Sequence, residues 1–146
     1  MAVTRDATTR WTGDLQSGSG SVSLDSSGLG PFTVSFPSRA GDPDGQTSPE
    51  ELIGAAHSSC LAMNFNGVLG QEDLAAENLV VSATVTFDKD PAGGFRISES
   101  AITLRAKVPG VDADRFAELA RKAEQTCPVS KALAGTTITL DAQLES

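Results

Sequence analysis

The sequence predicts an α+β fold with mainly antiparallel sheets, and three observations carry that prediction. Apolar and polar residues alternate with a period of two in the middle of the chain and at its C-terminal end, and short apolar and polar runs flank a Ser/Gly turn near the N-terminus. Two other stretches carry the i, i+3, i+4 spacing of helices. The order is strands, helix, strands, helix, strand, without the regular alternation that a parallel βαβ sheet requires. At 146 residues the chain fits one domain, spanning 1–146, and no internal repeat or low-complexity linker divides it.

The elements follow in order. Residues 7–30 read as a hairpin whose flexible turn is Ser17-Gly18-Ser19-Gly20, and "PFTVSF" supplies a third short strand. "SRAGDPDGQ" has the composition of a loop, and Arg39 in it is the only Lys or Arg between Arg10 and Lys89. The long helix then has a well-marked start. Ser48 is a natural N-cap, Pro49 takes the first helical position without losing a needed N–H, and Glu51 completes a capping box. Leu52, Ile53, Ala56, Cys60, Met63 and Val68 form its expected apolar stripe, while Gly54, Ala55, Ser58 and Ser59 let another backbone approach. A helix of this kind is expected to be central and buried.

In "NLVVSATVTFDKD", Leu79, Val81, Ala83, Val85 and Phe87 alternate with polar residues as in a half-buried strand. After the turn "DKDPAGG" the return strand starts on one parity with Phe95 and Ile97 and continues on the other with Ile102, Leu104, Ala106 and Val108. A bulge near Glu99 to Ala101 reconciles the two. Asp112 caps a second helix with Phe116, Leu119, Ala120 and Ala123 on its inner face, ending near Thr126. "CPVSKALAG" restarts a short helix at Pro128, and "TTITLDAQL" is a last strand with Ile138, Leu140, Ala142 and Leu144 inward.

Composition excludes several classes of function. A formal net charge of -8 repels nucleic acid and anionic lipid, and no apolar run approaches the ~18 residues of a membrane span. The opening "MAVTRDATTRW" has no apolar signal region, so a cytoplasmic location is expected. In a reducing compartment two cysteines are poor material for a permanent staple, which leaves buried filler, metal ligation or redox chemistry.

Cys127 precedes Pro128 and therefore lies at the start of the short helix, where unpaired N–H groups and the helix dipole favour a thiolate. Cys60 lies two to three turns into the long helix, where position alone gives no reason for its pKa to fall. Glu50 is ten residues earlier, about 15 Å along a straight helix, too far to touch it. Arg39 is the cation able to bridge part of that gap, holding Glu50 with one edge of its guanidinium and facing Cys60 with the other. Each residue also has an ordinary reading: Cys60 as core filler, Glu50 as a charge at a helix N-terminus, Arg39 as a solvated loop cation, His57 as a satisfied helix histidine. Zinc would need more ligands than two distant cysteines and His57. Papain-like catalysis would need a histidine remote in sequence from its cysteine.

Together, "TSPEELIGAAHSSC" and "CPVSKAL" resemble the two cysteine motifs of the OsmC/Ohr family, the osmotically inducible and organic hydroperoxide resistance proteins. "WTGDLQSGSGSVSL", "VPGVDADRF" and "TTITLDAQL" extend the resemblance over nearly the whole chain, and the position of Arg39 with "EELIGAAH" places it nearer the OsmC branch. The resemblance implies an intertwined α+β homodimer with active sites built from both chains. It also implies a thiol-dependent peroxidase that reduces organic hydroperoxides, and hydrogen peroxide more weakly, with no bound metal, flavin or haem. Cys60 matches the peroxidatic cysteine, Cys127 the resolving one, and Arg39 and Glu50 the pair that activates Cys60. An external dithiol is the implied reductant. Two other classes stay open at this point: a non-catalytic binding protein of the same fold, and a reductase of another electrophile. The low aromatic content suggests a pocket lined by aliphatic residues, with Met63 and Phe65 as candidates.

Overall fold

In the computed structural model, which describes residues 1–146, six strands and four helices run in the expected order with one addition. They are β1 (Thr8–Thr12), β2 (Ser19–Leu24), β3 (Leu29–Val34), α1 (Phe36–Ala40), α2 (Pro49–Gly70), β4 (Asn78–Lys89), β5 (Phe95–Lys107), α3 (Ala113–Thr126), α4 (Pro128–Ala132) and β6 (Thr137–Leu144). Contacts gather in two compact units, Met1–Leu52 and Ile53–Ser146, and the boundary falls inside the continuous helix α2.

In Met1–Leu52, β1, β2 and β3 form an antiparallel sheet in that order. The hairpin turn lies earlier than its Ser/Gly composition suggests. The Asp14 carboxylate accepts from the N–H groups of Gln16 and Ser17 at 2.8 Å, which closes the turn before Ser19 and leaves Ser19 and Gly20 to begin β2. Gly20 pairs with Trp11, and a Cβ on Gly20 would come within 2.8 Å of the indole, so the glycine makes room for the ring. The stretch read as a loop begins with the addition, α1, capped by the Ser35 hydroxyl and carrying Arg39 in its last turn. A helix of five residues is too short to show a period, and its signal was only a cap followed by Pro37.

In Ile53–Ser146, β5 is the middle strand of a second sheet, antiparallel to β4 and parallel to β6. The expected bulge is present one residue earlier: Thr86 pairs with Glu99 but Phe87 with Ile97, leaving Ser98 over. That extra residue flips the parity, so Ser100, Ile102, Leu104 and Ala106 all turn inward. Against them pack Leu61, Phe65, Val68 and Leu69 of α2 and the predicted face of α3, namely Phe116, Leu119, Ala120 and Ala123. The Phe65 and Phe116 rings meet edge to face at 5.5 Å. The inner residues of β4 and β6 cover the margins of this core.

The α2 stripe differs from the expected one. Gly54, His57, Leu61, Phe65, Val68 and Leu69 are buried, whereas Ala56 and Met63 are exposed. The helix is apolar on most sides, so periodicity alone does not choose its inner face, and a histidine carries no inward-facing signal of its own. Gly54 shows why that face wins: a Cβ there would stand 3.2 Å from the Ala83 carbonyl of β4. The cap is also half of what was expected, because Ser48 accepts from the Glu51 N–H but the Glu51 carboxylate takes its hydrogen bond from Thr47.

Candidate active site

Pro128 cannot continue α3, and the residue before a proline avoids helical geometry. Cys127 therefore sits extended, at φ -66° and ψ 122°, between the end of α3 and the start of α4. One amide holds this corner against α2. Asn64, one turn after Cys60, donates from Nδ2 to the Ala123 carbonyl at 2.6 Å and to the Thr126 hydroxyl at 2.8 Å. The outcome is that Cys60 and Cys127, 67 residues apart in sequence, bring their Sγ atoms to 3.2 Å. Both are free thiols, Cys127 buried and Cys60 half-buried, and an S–S bond of about 2.05 Å needs only a small further approach.

The surroundings of the two sulfurs are unequal. Burial disfavours charge on Cys127, but the N–H groups of Ser130 and Val129, the Ser130 hydroxyl and the Cys60 thiol outweigh it, so its pKa lies below the usual thiol value. Cys60 is moved the other way: burial raises its pKa, the neighbouring Cys127 adds to the rise, and the Val129 N–H only partly offsets it. Within one chain, then, the first negative charge belongs on Cys127, with Cys60 keeping its proton. A titration of thiolate absorbance at 240 nm should show a group ionising below the ordinary cysteine range that is missing from Cys127→Ser.

His57 lies one turn before Cys60 and is wholly buried. Its Nδ1 is 2.8 Å from the hydroxyl of Ser100 on β5 and its Nε2 is 2.8 Å from the hydroxyl of Ser130 on α4. Burial lowers its pKa, opposed by the charge of Glu124, so the ring is held neutral. No group of three or more His, Cys, Asp or Glu side chains gathers into a candidate metal site.

Arg39 and Glu50 meet as expected. The guanidinium presents Nε to both carboxylate oxygens, at 3.1 and 3.2 Å, and places Nη2 2.7 Å from Oε1. Glu50 is only 7% exposed, so this is a sheltered ion pair in the first turn of α2. Arg39 also lines a cavity of about 380 Å³ in Met1–Leu52, together with Trp11, Leu15, Val34, Phe36 and Leu52. Of the residues suggested for an aliphatic pocket, Phe65 instead belongs to the core and Met63 is 70% exposed, so neither lines this cavity.

Three residues of the site escaped the sequence reading: Asn64, Ser100 and Ser130. Ser130 alone had a signal, its place one turn after Cys127, whereas Asn64 and Ser100 matter only through partners remote in sequence. Asn64→Ala is expected to cost about 1–2 kcal/mol, because it leaves the Ala123 carbonyl with only a long bond of 3.5 Å from the Thr126 hydroxyl, and to slow formation of the Cys60–Cys127 disulfide. Urea denaturation and quantified disulfide formation check the two effects.

Comparison with known proteins gives consistent matches. The family model described as OsmC-like protein matches residues 41–141. Peroxiredoxin OsmC of Escherichia coli strain K12 is 38% identical over 146 residues, covering all of both chains. An organic hydroperoxide resistance protein of Xanthomonas axonopodis pv. citri is 34% identical over 104 residues, 70% of each chain. Among solved structures, an organic hydroperoxide resistance protein from Elizabethkingia anophelis superposes with a TM-score of 0.78 at 29% identity, covering 99% of each chain. OhrB of Bacillus subtilis gives 0.75 at 25% identity, covering 97% of this chain and 98% of its own.

Proposed function

Because this chain belongs to the OsmC family, we propose that it is a thiol-dependent peroxidase that reduces organic hydroperoxides to alcohols, and hydrogen peroxide more weakly. The observation that carries this reading is the 3.2 Å contact between two free sulfurs from remote parts of the sequence. The Cys60 thiolate attacks the distal oxygen of the hydroperoxide; the O–O bond breaks, the alkoxide takes a proton and leaves as alcohol, and Cys60 becomes a sulfenic acid. Cys127 then displaces hydroxide, which is protonated to water, and the resulting disulfide is reduced by an external dithiol.

Cys60 needs a cation that its own helix does not offer. Glu50 lies ten residues before Cys60, about 15 Å along a straight helix, too far for its carboxylate to touch that sulfur. We therefore assign Arg39 and Glu50 to the Cys60 of a second copy, in a homodimer with sites built from both chains. Exposed apolar surface supports the dimer. In Met1–Leu52 only Val22 among the apolar side chains is buried, Trp11, Leu29 and Phe32 are 40% exposed or more, and α2 leaves Ala55, Ala56 and Met63 uncovered. The guanidinium then lowers the Cys60 pKa and stabilises charge on the departing oxygen. The largely apolar cavity beside Arg39 suits the organic part of the substrate, which hydrogen peroxide lacks.

The test is steady-state turnover with a dithiol reductant on cumene hydroperoxide and on hydrogen peroxide. A clearly higher kcat/KM for the first is expected. Equal and slow consumption of both would favour an idle binding domain, and a reactive Cys60 without peroxide turnover would favour another electrophile.

A further inference from the structure

Resting on that peroxidase reading, we propose that His57 and Ser100 are positioning residues for the second step, fixing the Ser130 hydroxyl as a hydrogen-bond donor to the resolving sulfur of Cys127. The contacts form a chain from Ser100 Oγ to His57 Nδ1, across the ring to Nε2, and on to Ser130 Oγ, each link at 2.8 Å, and Ser130 lies three residues after Cys127, in the first turn of the helix that Cys127 opens. Ser100 and His57 are wholly buried and Ser130 is 5% exposed, so water does not compete for these bonds.

The direction of the chain follows from donor counting. A neutral imidazole donates from one nitrogen and accepts at the other. If Nε2–H donates to Ser130 Oγ, the single hydrogen of Ser130 is free for Cys127, and the Ser100 O–H must donate to Nδ1. In the opposite tautomer the Ser130 hydrogen is spent on Nε2, and nothing from that side chain reaches the sulfur. An anionic Cys127 selects the first arrangement. The charged group that acts on the ring is Glu124 on α3, and the titratable thiols nearest along the chain are Cys60, three residues after His57 on α2, and Cys127, three residues before Ser130.

In the resolving step the Cys127 thiolate attacks the Cys60 sulfenic sulfur. The S–S bond forms, the S–O bond breaks, and the departing hydroxide is protonated by solvent. The sulfenic sulfur is reduced and the thiolate oxidised. His57 takes no proton permanently; its part is to keep Ser130 aimed.

The experiment compares Ser130→Ala, Ser130→Thr and His57→Asn with the parent, reading the Cys127 titration at 240 nm and, in single turnovers with cumene hydroperoxide, sulfenic acid formation and disulfide formation separately. Ser130→Ala and His57→Asn should move the Cys127 titration upward. Tenfold less thiolate, partly offset by the greater nucleophilicity of a more basic sulfur, gives about a threefold slower disulfide step. Sulfenic acid should form as in the parent, and Ser130→Thr, which keeps the hydroxyl, should restore both readouts. An unmoved titration with an unchanged disulfide step in Ser130→Ala overturns the proposal, as does equal slowing of both steps. If His57→Asn does not fold, the Ser130 pair decides alone. If the parent forms no sulfenic acid, the peroxidase reading fails, while the titrations still test the hydrogen-bond chain.

Discussion

Cys60→Ser is expected to consume cumene hydroperoxide no faster than buffer containing the dithiol. A serine hydroxyl is not ionised at neutral pH and cannot accept the peroxide oxygen as a stable sulfenic acid, so the covalent step disappears altogether. Cys127→Ser should behave differently. It retains Cys60, the nucleophile in the proposed mechanism, so each chain should react once, and the Cys60 sulfenic acid, having no partner 3.2 Å away, should persist or oxidise further to sulfinic acid. Mass spectrometry of the peroxide-treated variants reads both outcomes. The contrast is informative because the two serines are nearly isosteric with the sulfurs they replace and leave the Asn64 clamp in place. Turnover by Cys60→Ser at the parent rate would move the chemistry to another group.

The largest loss of stability is expected from Phe65→Ala. Phe65 is fully buried between α2, β5 and α3, with its ring edge to face against Phe116, and its removal should cost about 3–5 kcal/mol. Domains of this size are stable by only about 5–15 kcal/mol, so the variant should melt roughly 10–15 °C lower by calorimetry. Met63, two residues earlier, is the control. It is 70% exposed in a single chain, and Met63→Ala should leave a monomer's stability within about 0.5 kcal/mol. A weaker dimer in the same variant, read by sedimentation, would instead place this face of α2 in the interface between copies.

Much of this protein was legible from local rules. Ser48 and Pro49 start α2, Asp112 starts α3 through its hydrogen bond to the Arg115 N–H, and Pro128 forces the corner at Cys127. The inward stripe of α3 is the predicted one, since only one of its faces is apolar. On α2 the same reasoning chose the wrong residues, because apolar and small side chains surround it and Gly54 had no visible partner until β4 lay against it. His57 illustrates the same limit at the site. Its place one turn from Cys60 could be read directly, but its two hydroxyl partners stand 43 and 73 residues further along the chain.

The sequence by itself determined where α2, α3 and α4 begin, which strand of the second sheet carries a bulge, and that Cys127 opens a helix, since caps, prolines and alternation act over a few residues. Only the tertiary structure decided which face of α2 is buried, that the two sulfurs touch, and that within one chain the donors around Cys127 favour charge on it. Those outcomes depend on burial and on donors brought from elements distant in the chain, and no local spacing records them.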